Sequence, residues 1–192
     1  MAIGVLALQG AVREHLRVLE RLGVEGREVR TPQQLEGVSG VIMPGGESTT
    51  VGKLMARIGL DRALKEFAAA GKPIMGTCAG MILLARKVDE GDQPLLRLMD
   101  IVVRRNAFGR QVDSFEQDLD IAGLNGVKFR GVFIRAPYIV EAGPEVEVMA
   151  EVDGKGVLAR QGRVIAAAFH PELTDDLRLH RMFVEMAEGE GR

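Results

Sequence analysis

Cys78 is the only cysteine in the 192-residue chain, and the residues around it are those a nucleophile needs. Gly76 and Gly80 bracket it in the stretch Gly-Thr-Cys-Ala-Gly. Short and apolar residues 73–75 precede it, like the end of a buried strand, and apolar residues 81–85 follow it, like the start of a buried helix. This pattern predicts a sharp strand-to-helix turn that lifts the thiol above a sheet. Side chains at the two flanking positions would collide where the chain doubles back, hence the glycines. A helix that starts just after Cys78 aims its N–H groups and positive dipole end at the sulfur, which favours thiolate. The same residues also fit a buried structural thiol in an ordinary strand–helix turn. A base elsewhere in the chain has to decide between the two.

Three histidines are available. His15 has Arg13, Glu14 and Arg17 as sequence neighbours, and His180 has Arg178 and Arg181, so both are expected at the surface. His170 differs, because it follows the apolar run 165–169 and so emerges from the end of a buried strand. Pro171 biases it to extended backbone. In extended chain the side chains at i and i+2 point the same way, which puts Glu172 beside it. Cys78, His170 and Glu172 then form a nucleophile, a base and a group that orients the base. A thiolate attacking a carbonyl also needs N–H donors for the developing oxyanion. The N–H of Ala79, just after the nucleophile, is one, and Gly46 in the Gly45-Gly46 pair is a second, because glycine lets backbone approach a substrate closely. The histidines and the cysteine show no metal-ligand spacing. No glycine-rich phosphate loop of either common pattern occurs.

These residues must be held by strands and helices, and the apolar patterning supplies them. Residues 3–8, 24–29, 40–43 and 73–77 read as strands. Helical spacing separates them: Val12, Leu16 and Leu19, then Val51, Leu54, Met55 and Ile58 after Ser48 as N-cap, then Leu60, Leu64 and Phe67. Such alternation predicts a doubly wound α/β sheet with right-handed crossovers. Ligands bind such sheets at the carboxyl ends of the strands, where Gln9-Gly10, the 44–47 turn and Cys78 all fall. After Arg86 the chain turns strand-rich, with expected strands at 98–104, 113–121, 127–134, 138–141 and 146–152. Strands 156–159 and 164–169 flank Arg160-Gln161-Gly162-Arg163 as a hairpin, so antiparallel pairing is expected in this half. An amphipathic helix bearing Leu179, Met182, Phe183, Met186 and Ala187 closes it. The expected whole is a single domain over 1–192, a mixed sheet that is mostly parallel in its first half.

Totals narrow the function classes. Net charge is -2, from 25 basic and 27 acidic residues, which argues against a nucleic-acid or anionic-membrane partner. A single cysteine excludes an internal disulfide framework. The opening residues lack a basic segment and their apolar run is short, so a cytoplasmic setting without a membrane span is expected. The absence of Trp, with one Tyr and few Asn, leans towards a heat-adapted source.

Taken with Pro-Gly-Gly-Glu-Ser at 44–48 and His-Pro-Glu at 170–172, the cysteine motif resembles the triad-type (class I) glutamine amidotransferases, whose fold is flavodoxin-like. More narrowly, the chain is similar to the family of glutaminase subunits of pyridoxal 5'-phosphate synthase. Five stretches carry that likeness: Val-Leu-Ala-Leu-Gln-Gly at 5–10, Pro-Gly-Gly-Glu-Ser-Thr-Thr at 44–50, residues 76–85, Arg-Asn-Ala-Phe-Gly-Arg-Gln at 105–111, and Phe-Ile-Arg-Ala-Pro at 133–137. They occur in the family's order and, with His-Pro-Glu-Leu-Thr, span residues 4–174.

The resemblance implies hydrolysis of L-glutamine to glutamate and ammonia through a thioester on Cys78. It implies a synthase subunit as partner, which uses the ammonia with ribose 5-phosphate and glyceraldehyde 3-phosphate to make pyridoxal 5'-phosphate. The cofactor would be the product of the complex, so none is expected here. Carried over by motif, the glutamine site is Gly46, Glu47, Ser48, Arg105, Ile134 and Arg135. Free glutamine bears an ammonium and a carboxylate, which suits one acidic and two basic residues, with the end each takes left open. The resemblance also implies that the Gly45-Gly46 loop is misaligned until the synthase docks. Three other readings remain at this point: a glutaminase for a different ammonia-using synthase, a DJ-1-like cysteine protein, and a binding module with Cys78 in its core.

Overall fold

Every residue of the strand β1 (Ala2–Leu6) is buried, which requires cover on both faces of the sheet. The computed structural model describes residues 1–106, 114–124 and 126–189. After β1 come α1 (Val12–Arg21), β2 (Glu25–Val29), a 3-10 turn at Pro32–Leu35, β3 (Gly40–Met43), α2 (Ser48–Ile58), α3 (Leu60–Ala69) and β4 (Ile74–Thr77). Then α4 (Ala79–Leu84) leads directly into β5 (Ala85–Val88) and β6 (Met99–Arg104). The second half adds β7 (Ser114–Leu119), β8 (Phe129–Ile134), β9 (Tyr138–Ala142), β10 (Glu147–Val152), β11 (Lys155–Gln161) and β12 (Val164–Ala167). A second 3-10 turn, Pro171–Leu173, precedes α5 (Arg178–Glu188).

The main sheet runs β2-β1-β3-β4-β12-β11-β9-β6-β5, with β10 paired to β11. From β2 to β12 all pairings are parallel. From β12 to β6 they are antiparallel, and β5 pairs parallel with β6. β7 and β8 form a separate antiparallel pair. The expectation of a mixed α/β sheet, parallel first and antiparallel later, is what the chain builds. The β11–β12 hairpin closes between Gln161 and Val164, where the turn signal lies.

The parallel set places four chain segments on one edge. β1, β3, β4 and β12 end at Leu6, Met43, Thr77 and Ala167, and in register Met43 lies beside Gly76 and Thr77 beside Ala167. The segments that follow carry Gln9, Gly45–Gly46, Cys78 and His170. A stack of buried aromatics brings in a fifth segment. Phe169 lies with its ring centroid 5.6 Å from those of both Phe129 and Phe133, and so packs the end of β12 against β8. Such ring pairs add roughly 0.5–1.5 kcal/mol each beyond area burial. The N–H of His170 donates to the carbonyl of Val132 at 2.8 Å, which fixes Ile134 and Arg135 next to the cysteine turn.

Several local expectations change. The strand expected over 3–8 stops at Leu6, and β2 is exposed along most of its length. Ser48 is the first helical residue of α2; Glu47 is the N-cap and accepts the N–H of Thr49 at 3.2 Å. The apolar run after Cys78 makes only a six-residue helix. Its continuation, β5, was not expected, because Arg86 and Lys87 point outward and give the strand a polar look. Of the stretch 105–111, residues 107–111 lie outside the described residues, as does Asp113 at the start of the strand expected over 113–121.

Candidate functional site

Cys78 has φ 51° and ψ -105°, a backbone conformation that side-chain-bearing residues rarely adopt. Such a residue costs on the order of 1–3 kcal/mol and persists only where the surroundings enforce it. Here the enforcement is visible. A Cβ on Gly76 would sit 2.5 Å from the backbone carbon of Gly80, and one on Gly80 would sit 2.2 Å from the backbone oxygen of Met43. The turn therefore closes only with glycine at both positions. Its N–H is anchored too, since Cys78 N donates to Ala167 O at 2.8 Å. Sγ lies 3.8 Å from the carbonyl oxygen of Ile134.

His170 and Glu172 meet as expected, but not through extended chain. Pro171–Leu173 is a 3-10 turn, and His170 caps it with φ -106° and ψ 85°. His170 Nδ1 and Glu172 Oε1 are 2.7 Å apart. Both residues are buried. Burial by itself disfavours a charged His170, yet hydrogen bonds to Cys78 and Glu172, with their charges, outweigh it and raise its pKa from 6.5 to about 10. With Nδ1 held by the carboxylate, Nε2 is left to exchange a proton with the thiol.

A pocket of about 220 Å³ opens over the sulfur. It is below the range of roughly 300–1,000 Å³ that takes drug-sized ligands, and suits something the size of an amino acid. Gly46, Glu47, Ser48, Cys78, Ala79, Arg105, Ile134, Arg135 and His170 all border it, so every site residue named from the sequence except Glu172 does so. Glu172 lies behind His170, where it touches the base and not the cavity. Gly46 has φ 142°, open only to glycine, and its neighbour Glu47 donates its N–H to Gln9 Oε1 at 2.9 Å. Arg105 is steadied by Gln93, whose Oε1 also accepts from Ser48 and Thr49 at 3.2 Å each.

A nucleophile, a base and a charged rim thus share one pocket. A family model described as the SNO glutamine amidotransferase family matches residues 5–189. This chain belongs to that family. Among its curated relatives is the pyridoxal 5'-phosphate synthase subunit PdxT of Pelotomaculum thermopropionicum, 60% identical over 96% of this chain and 94% of the relative. The protein of the same description from Carboxydothermus hydrogenoformans is 57% identical over 96% and 97%. A solved structure titled as a glutamine amidotransferase superposes with a TM-score of 0.93 at 50% identity, covering 97% of this chain and 98% of that one. The structure of PurLQS from Thermotoga maritima shares the fold, with a TM-score of 0.71 at 19% identity.

Two positions correct the sequence reading of this glutamine amidotransferase. His15 and His180 are not at the surface; both are wholly buried. The reason is helical phase. His15 stands three and four residues before the buried Val18 and Leu19, and His180 three and four before the buried Phe183 and Val184. The basic neighbours lie on other faces of the same helices. Periodicity could have placed both inward. Gln93 and the role of Gln9 carried no such signal, because each acts from a loop through a contact distant in sequence. Among the described residues no helix is long and apolar enough to cross a membrane, and no group of three acidic, His or Cys side chains could hold a metal ion.

Proposed function

We propose that Cys78, His170 and Glu172 carry the hydrolysis of L-glutamine, that Gly46 and Ala79 stabilise its oxyanions, and that Gly46, Glu47, Ser48, Arg105, Ile134 and Arg135 hold the substrate. The chain is the glutaminase subunit of pyridoxal 5'-phosphate synthase, and its partner is the synthase subunit that consumes the ammonia. The observation that carries this reading is the strained cysteine facing a buried His–Glu pair in a pocket with an acidic and a basic rim.

The steps follow from the atoms. His170 Nε2 takes the thiol proton, and Glu172 holds the resulting imidazolium through Nδ1–H. The thiolate adds to the side-chain amide carbon of glutamine. The N–H groups of Gly46 and Ala79 face the new oxyanion. His170 returns its proton to the departing nitrogen, which leaves as ammonia, and a glutamyl thioester remains on Cys78. A water molecule then gives its proton to His170 and adds to the thioester carbon. When that second intermediate collapses, the C–S bond breaks, the sulfur recovers the proton and glutamate is released.

Residues 1–192 act as one domain, a reading supported by the core cluster that the buried apolar side chains form among the described residues. The setting is the cytoplasm, in keeping with a lone cysteine that must stay reduced to act. The Gly45-Gly46 loop reaches its working alignment only when the synthase docks, which prevents idle loss of glutamine. An ammonia-release assay on glutamine tests the whole reading. Full activity is expected with synthase, little without it, and none for Cys78→Ala in the assembled complex. Turnover by the Cys78→Ala complex at the wild-type rate overturns the mechanism, and equal rates with and without synthase overturn the control.

A further inference from the structure

Glu172 presents only Oε1 to His170. Its Oε2 is buried and makes no hydrogen bond of ordinary length, and His15 Nε2 lies 3.5 Å from it. His15 Nε2 also lies 3.3 Å from Thr77 Oγ1, and its Nδ1 lies 2.9 Å from His180 Nε2. His180 Nδ1 is buried with no hydrogen-bond partner. Three histidines and one glutamate thus form a continuous polar line that starts at the pocket and runs through the Pro171–Leu173 turn, α1 and α5, with Thr77 of β4 beside it. The hydrolysis above uses only its front half.

One proton lies between His15 Nδ1 and His180 Nε2, and the line decides which ring owns it. If His15 carried it, a neutral His15 would turn a bare Nε2 towards the carboxylate oxygen, lone pair against lone pair, with only the Thr77 hydroxyl able to donate to it. His180 would then hide an N–H at Nδ1 with no acceptor, the costlier kind of orphan. If His180 carries it on Nε2, His15 bears its own proton on Nε2. That one N–H then faces two acceptors, Thr77 Oγ1 at 3.3 Å and the otherwise unpartnered Glu172 Oε2 at 3.5 Å, and the sole unpartnered atom of the two rings is a bare nitrogen.

We infer that His15 and His180 are positioning residues of the triad, a neutral and proton-ordered prop in which His180 Nε2–H holds His15 and His15 Nε2–H holds Glu172 Oε2. The prop keeps Oε1 aimed at His170. It must be neutral, because a cationic His15 would draw the charge of Glu172 to itself and leave the His170 imidazolium undersupported. The titratable groups facing His15 are Glu172 and His170 around the active-site turn and His180 from α5. Burial, then His180 and His170, hold the pKa of His15 well below 6.5, and burial lowers that of His180 to about 4. The inference rests on the triad reading of Cys78, His170 and Glu172.

Nitrogen NMR of the histidines in the wild-type chain bound to its synthase gives the first test. Both His15 and His180 are expected as neutral Nε2–H tautomers at pH 7; a proton on His15 Nδ1, or a cationic His15, overturns the inference. Kinetics of the assembled complex give the second. His15→Leu keeps the bulk and removes the donor, and should lower kcat about ten- to a hundred-fold with the KM for glutamine unchanged. His15→Gln offers an N–H to Glu172 and a carbonyl to His180, and should regain most of the loss. Equal rates for the two variants overturn the prop, and if His15→Leu does not fold, wild type against His15→Gln and the tautomer spectrum still decide. Loss of activity in Cys78→Ala alongside a full rate in His15→Leu sinks the prop alone, whereas turnover by Cys78→Ala sinks the triad beneath it.

Discussion

Gly45 offers a way to move the base without touching it. A Cβ at this position would lie 2.6 Å from His170 Cε1 and 3.3 Å from Cys78 Cβ. Carbon atoms in contact sit about 3.5–4.0 Å apart. An alanine therefore pushes the imidazole back by roughly 1 Å, since the ring is a side chain at a pocket wall and can yield where backbone cannot. A displacement of that size from working geometry costs about a hundred-fold in rate, or about 3 kcal/mol of barrier. Gly80→Ala is the matched control, because the same added methyl would lie 2.2 Å from the backbone oxygen of Met43. That clash falls on the sheet and should appear as lost stability. The expected result in the synthase complex is that Gly45→Ala lowers kcat for ammonia release about a hundred-fold while its melting temperature stays near wild type, and that Gly80→Ala melts much earlier. A Gly45→Ala enzyme with wild-type kcat, or one destabilised as much as Gly80→Ala, would refute the placement of His170 against this loop.

Two further outcomes follow from the same geometry. Gln93 Oε1 gathers Ser48, Thr49 and Arg105; Gln93→Leu should raise the KM for glutamine more than it lowers kcat, and steady-state kinetics check this. The buried histidines make stability depend on pH with opposite signs. His180, lowered to about 4, is neutral in the fold and takes up a proton on unfolding below about 6.5, so stability should fall as pH drops from about 6.5 to about 4. The full drop from His180 is about 3 kcal/mol. His170, raised to about 10, favours the fold below its unfolded pKa, and that support should fade as pH rises towards 10. Denaturant melts across pH should show a maximum near neutral, and His180→Leu should flatten the acid side; an unchanged acid slope contradicts the assignment.

Legibility in the sequence followed the range of the physics. The turn at Cys78 was readable because its steric demand is local: two glycines and an apolar strand and helix within ten residues. His170 was readable because an apolar run and a proline mark where a buried strand ends. Extended chain would pair Glu172 with His170, while the fold achieves it with a 3-10 turn; short separation tolerates either. The basic sequence neighbours of His15 and His180 point to the surface, whereas helical phase buries both.

The residue chemistry along the chain, by itself, determined that a thiol, a base and an orienting carboxylate exist, each at the end of a buried strand, because steric and patterning rules act over a few residues. It also carried the family likeness, which lies in short motifs. Only the tertiary structure decided that β4 and β12 are neighbours in parallel register, which brings residues 78 and 170 to one pocket, because strand order is set by packing across the whole sheet. Only it joined His15, Thr77, Glu172 and His180, which span 165 residues of chain, into one buried line. No local rule links helices at opposite ends of a sequence; the exclusion of water from their shared face does.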